Sequence, residues 1–127
     1  MRYFDEYDTF VAMSGTPAGN PSHWDKVTYA ALKLAGEAGE VAEVIGKSMR
    51  GVRSAAAQVV DLDPVKLALE LGDVLWYVSR LASLADISLE DVAALNYIKL
   101  THRQEYGKDD AAESEKARRY LETVGRL

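Results

Sequence analysis

Two short stretches carry acids at the same spacing, Ala35-Gly36-Glu37-Ala38-Gly39-Glu40-Val41 and Ala68-Leu69-Glu70-Leu71-Gly72-Asp73-Val74, each reading Ala-x-Glu-x-Gly-acid-Val. On an α-helix, residues three apart project within about 60° of each other, so Glu37 lies beside Glu40 and Glu70 beside Asp73. Their flanks are apolar: Leu34, Val41 and Val44 lie about one turn from Glu37, and Leu67, Val74, Tyr77 and Leu81 bracket Glu70. An ionised carboxylate on or beside a core-facing stripe is costly unless a cation offsets it. Hard divalent ions such as Mg²⁺ or Mn²⁺ take oxygen ligands and pair carboxylates with substrate phosphates, so two acid pairs on two helices point to a metal site between them. The competing reading is two solvated acidic faces that happen to match, the usual meaning of a lone Glu-x-x-Glu. The duplication inside apolar arcs favours metal. Gly39 and Gly72 push the same way, since each costs roughly 1 kcal/mol in a helix interior and its use there suggests close backbone approach at a helix crossing.

A third polar face follows. Asn96, Lys99 and Arg103 fall at i, i+3 and i+7, within about 60° on the helical wheel. Two cations and an amide can bind phosphate oxygens, which an acid-rich surface reaches only through metal; a plain solvated face is the equal alternative. His23 and His102 are single, and His102 is turned about 100° from Arg103, off the proposed phosphate face. Glu43 is turned about 120° from Glu37 and is expected in solvent or beside a neighbour.

The elements that must position these residues are all helical. Phe4, Tyr7, Phe10, Val11 and Met13 have helical spacing over residues 2–13, with the aromatics expected in the core. Ser14-Gly15-Thr16-Pro17-Ala18-Gly19-Asn20-Pro21 reads as a loop. A long helix starts near Ser22, with Asp25 in its early turns, and runs to about Met49. Trp24 at its start is expected to pack in the core. Residues 51–63 lack firm periodicity, and Asp63-Pro64 reads as an N-cap with proline at the first helical position of a second long helix, to about residue 85. Ser88-Leu89-Glu90-Asp91 has the spacing of a capping box opening a third, to about Tyr106 before Gly107. Residues 109–127 are highly charged and read either as a peripheral helix docking on a partner subunit or as a partly disordered tail. No strand or βαβ pattern appears, so the expectation is one all-α domain over residues 1–127.

The chain has 127 residues, enough for one domain with a real core, and 48% hydrophobic with 28% charged residues is ordinary for a folded soluble protein. The formal charge is −5, with the acids concentrated in the two motifs and near the C-terminus, and nothing in it suggests a nucleic-acid-binding face, so no nucleic-acid partner is expected. The absence of cysteine excludes disulfides, a thiolate nucleophile and Cys-based zinc sites. No signal-like or membrane-spanning run is present, so a cytoplasmic protein with no membrane partner is expected.

Leu34-Ala35-Gly36-Glu37-Ala38-Gly39-Glu40-Val41-Ala42-Glu43, then Glu70-Leu71-Gly72-Asp73-Val74-Leu75-Trp76-Tyr77, then Asn96-Tyr97-Ile98-Lys99-Leu100 with Arg103 form an ordered set that resembles the MazG-like nucleoside triphosphate pyrophosphohydrolases of the all-α NTP pyrophosphatase superfamily. The resemblance spans about residues 28–106. It implies a four-helix core, completed by assembly into a homodimer or homotetramer, and cleavage of an NTP or dNTP to the monophosphate and pyrophosphate, a nucleotide-pool house-cleaning reaction. Carried over by residue, Glu37, Glu40, Glu70 and Asp73 would hold Mg²⁺ (or Mn²⁺), and Asn96, Lys99 and Arg103 would contact phosphates; the logic of phosphoryl transfer then asks one motif carboxylate, Glu37 or Glu40, to orient or deprotonate the water. Two departures stand out. Gly36 occupies a position where many relatives carry a further glutamate, so a base role there does not transfer. The 29 residues between Glu40 and Glu70 make a long spacer whose Arg50 and Arg53 are candidate phosphate contacts. A non-catalytic nucleotide or metal sensor, and a helical oligomerisation module, are the alternatives. Trp24, Trp76 and Tyr77 are candidate base-stacking groups, with core packing the commoner role for such residues.

Overall fold

Helix-start chemistry accounts for where the elements begin. In the computed structural model, which describes residues 2–15, 19–50 and 62–127, five helices follow one another: α1 (Arg2–Ser14), α2 (His23–Arg50), α3 (Pro64–Leu84), α4 (Leu89–Tyr106) and α5 (Asp110–Thr123). No strand occurs among the described residues, so the fold is all-α. The Ser22 hydroxyl accepts from the Asp25 N–H at 3.1 Å while the Asp25 carboxylate accepts from the Ser22 N–H at 3.1 Å, a reciprocal cap on α2. Asp63 Oδ1 accepts from the N–H groups of Val65 and Lys66 at 3.0 and 3.2 Å, with Pro64 at the first helical position of α3 where no N–H is needed. Ser88 and Asp91 complete the expected capping box on α4. Gly107 closes that helix with φ 80°, a left-handed value that disfavours a side chain, and its N–H donates to the Arg103 carbonyl.

The described helices fall into two compact units, residues 1–16 with 82–127 and residues 17–81. In the first, Val11, Ala82 and Leu89 are the buried apolar side chains. The α4 N-terminus is a junction of charges. The Leu89 N–H donates to Asp8 Oδ2 at 2.8 Å, tying α1 to α4. Asp91, only 4% exposed, accepts from the Ser88 N–H, the Tyr120 hydroxyl and Arg126 Nε at 2.8, 3.2 and 2.9 Å. The charged C-terminal segment is therefore a helix, α5, docked on α4 of its own chain and anchored beyond its end by Arg126. In the second unit α2 and α3 carry the two acid motifs, and Ala30 and Ser79 are buried.

Burial pushes the Asp91 carboxyl up, but the bonds from Ser88 and the Arg126 guanidinium outweigh it and hold its pKa below the ordinary 3.8. The unfolded chain then takes up the proton first as pH falls, so Asp91 contributes its full stabilisation above 3.8 and loses it as pH drops through the lower folded value. Asp91→Asn is expected to cost ~1–2 kcal/mol at neutral pH in a denaturant titration. The gap from wild type should close in strong acid. A gap that stays constant with pH contradicts a charged role for Asp91.

Several apolar side chains lie where core packing was expected and are exposed. Phe10 is 56% exposed and Trp24 76%. Periodicity assigns a helix its apolar face but not the element that covers it. α3 is the sharper case: it is apolar nearly all round, yet Val65 and Leu69 are 66% exposed and Leu71 and Leu75 are also open. A helix of that character normally lies buried. No helix among the described residues is long and apolar enough to cross a membrane.

Candidate functional site

Glu37 on α2 and Glu70 and Asp73 on α3 come together: each offers a carboxylate oxygen, and the three lie within 4.8 Å of one another. Glu37 and Glu70 are half-buried and Asp73 is exposed. The i, i+3 spacing in α3 sets its two acids on one face, and α2 supplies the third from across the helix pair. An all-oxygen, all-anionic donor set of this kind suits a hard divalent cation.

Glu40 stands apart from that group. It lines an adjoining open cavity of about 410 Å³ with Glu70, Glu43, Lys47 and Lys66, so Glu70 is the acid common to both places. Glu43 is exposed, as its position on the helix implies, and pairs with Lys47 at 2.7 Å. That hydrogen bond and charge hold its carboxyl below the usual glutamate range. The glycines do not play the expected part within the chain. Among the described residues, a Cβ added at Gly39 or Gly72 meets no atom within 4 Å beyond its own stretch of helix, so neither marks a tight crossing between described helices; the acids approach through side-chain reach.

Lys33 joins this cluster one turn before Glu37. Its ammonium is 3.1 Å from Glu37 Oε1 and 5.8 Å from the centre of the Tyr77 ring on α3. The hydrogen bond to Glu37 and that carboxylate's charge raise the lysine above its ordinary value. Tyr77 is pushed up by its burial, with Lys33 opposing. Tyr77 also meets Trp76 edge to face, ring centres 4.8 Å apart. Sequence reasoning passed over Lys33, although the Lys-to-Glu i, i+4 spacing was a signal for the pair.

Asn96, Lys99 and Arg103 also share one place, a cavity of about 650 Å³ between α4 and α5 within the other unit. Arg103 is already engaged there. Its Nε and one terminal nitrogen donate to the two Glu113 carboxylate oxygens at 2.7 and 2.8 Å, and Asp110 lies 3.5 Å away. The pairing raises the Arg103 pKa and lowers that of Glu113. This two-pronged geometry is the one an arginine uses on phosphate, and here a carboxylate holds it. Lys99 and Asn96 are exposed on the same helix. His102 is 7% exposed, with a buried Nδ1 that has no hydrogen-bond partner among the described residues. His23 is exposed at the start of α2. Arg50 ends α2, and Arg53 lies outside the described residues.

Comparison with known proteins gives two findings. A family profile described as "MazG nucleotide pyrophosphohydrolase domain" matches residues 27–107, which takes in both acid motifs and the Asn96-Lys99-Arg103 face. The "Gene 37 protein" of Mycobacterium phage L5 is 37% identical over 90 residues, covering 71% of this chain and 76% of that protein. No solved structure matches.

Proposed function

Because the chain belongs to the family of MazG nucleotide pyrophosphohydrolase domains, we propose that it hydrolyses a nucleoside triphosphate, ribo or deoxyribo, to the monophosphate and pyrophosphate with Mg²⁺, or Mn²⁺ in its place. The observation that carries the reading is the meeting of Glu37, Glu70 and Asp73 within 4.8 Å, inside the matched stretch. Water adds to one of the two phosphorus atoms that flank the α,β-bridging oxygen, and the bond from that phosphorus to the bridging oxygen breaks, leaving the monophosphate and pyrophosphate. Such transfers depend mainly on positioning and charge neutralisation. A bound divalent cation would supply charge neutralisation at the phosphates.

The chain's own residues divide the remaining work. Glu37, Glu70 and Asp73 hold the cation. Glu40, outside that group but sharing a cavity with Glu70, is the better placed of the two candidates to orient and deprotonate the water. On the α4 face Lys99 and Asn96, exposed and without a side-chain partner among the described residues, would contact phosphate, and Arg103 would join them by exchanging Glu113 for a phosphate. The protein acts in nucleotide-pool house-cleaning in the cytoplasm, with a small-molecule nucleotide as its substrate.

The same reading includes a homo-oligomer, dimer or tetramer. The exposed apolar length of α3, with Trp24, Tyr29 and Leu32 open on α2, supports cover by a second copy. The open space over Gly39 and Gly72 is compatible with it. Light scattering at micromolar concentration is expected to give more than one chain per particle, and a monomer there overturns this part of the proposal.

The test of the activity is a panel of NTPs and dNTPs with Mg²⁺, followed by pyrophosphate release. Release from at least one nucleotide, abolished by a chelator, is expected. Binding without release would instead identify a sensor.

A further inference from the structure

Three carboxylates whose oxygens lie within 4.8 Å repel one another. A cation held close by relieves that repulsion when no divalent ion is bound. Among the described residues, the cation in ion-pair contact with any of the three is Lys33, 3.1 Å from Glu37. Its ammonium is held from two sides. Glu37 is on its own helix, one turn on, while Tyr77 presents its ring from α3 at 5.8 Å. The Glu37 side chain is 16% exposed and that of Lys33 43%, so solvent screens the pair only in part.

We propose that Lys33 is the resident counter-ion of the metal-free carboxylate cluster, occupying Glu37 until a divalent cation displaces it. The Tyr77 ring keeps the displaced ammonium beside the cluster. Lys33 therefore acts as a positioning residue. It holds Glu37 in place for the incoming ion, and it sets the affinity of the site by competing for the same oxygen. The inference rests on the reading of Glu37, Glu70 and Asp73 as metal ligands.

The test measures Mn²⁺ binding to the protein without nucleotide, by the paramagnetic resonance signal of the free ion, alongside the thermal midpoint of the metal-free protein. Lys33→Met is expected to bind Mn²⁺ roughly tenfold more tightly, because one positive charge beside the site is gone. Its metal-free midpoint should fall and its metal-induced rise should grow. Lys33→Arg keeps the charge and should stay near wild type. Lys33→Gln, which keeps a donor to Glu37 without the charge, should follow Lys33→Met and serves if that variant does not fold. A lower midpoint with Mn²⁺ affinity unchanged in both neutral variants overturns the inference, leaving Lys33 a structural contact. Wild-type protein that binds no Mn²⁺ overturns the metal reading of the cluster itself, a separate outcome.

Discussion

Glu70→Gln is expected to cut Mg²⁺-dependent pyrophosphate release by about a thousandfold while leaving the helical circular dichroism spectrum unchanged. Glu70 is the acid shared by the three-carboxylate cluster and the cavity that Glu40 lines. Glutamine matches its shape and keeps one carbonyl oxygen but removes the charge. A divalent cation contributes several kcal/mol of charge stabilisation to such a transfer, and each 1.36 kcal/mol is a factor of ten in rate. The fold should survive because removing one of three crowded like charges relieves repulsion. Activity within about threefold of wild type would remove Glu70 from the site.

The second large effect separates two residues that look equivalent in the sequence. Glu37 and Glu40 are three apart on one helix face, yet Glu37 joins Glu70 and Asp73 while Glu40 lies in the adjoining cavity. Glu37→Gln is expected to weaken Mn²⁺ binding by about tenfold or more. Glu40→Gln should leave that affinity within about threefold and still lower turnover by roughly a hundredfold, the lower end of what general-base catalysis supplies. Parallel titrations and rate measurements on the two variants decide it. Equal losses of metal affinity would make Glu40 a fourth ligand, and the base would have to be sought elsewhere.

Local signals in the sequence are enough to find α1 to α4. Asp63-Pro64, the Ser88–Asp91 box and Gly107 each act within four residues, through hydrogen bonds or backbone preference that any reader of the chain can place. The acid motifs were legible for the same reason, and the three-acid meeting joins their two helices as the matching spacing suggested. What the sequence hid depends on partners far along the chain. The Glu113 carboxylate that occupies Arg103 lies in a charged segment with no periodic cue. Asp91 is joined by Tyr120 and Arg126 from 29 and 35 residues away. The exposure of Trp24 and Phe10 was equally hidden, since helical spacing names a face and not its cover. Gly39 and Gly72 suit a close helix approach, yet no described residue comes within 4 Å of where their Cβ would stand. Helical spacing and the family resemblance both point Arg103 at phosphate, and the Glu113 carboxylate on α5 makes that role conditional.

The central claim is that this chain converts a triphosphate to a monophosphate and pyrophosphate at its carboxylate cluster. Phosphorus NMR of a nucleoside triphosphate incubated with the purified protein and Mg²⁺ tests it most directly. The account predicts that the three triphosphate resonances give way to one monophosphate and one pyrophosphate signal in equal molar amounts, and that a chelator stops the change. Inorganic phosphate with a nucleoside diphosphate, or an unchanged spectrum across the panel of ribo- and deoxyribonucleotides, would contradict it.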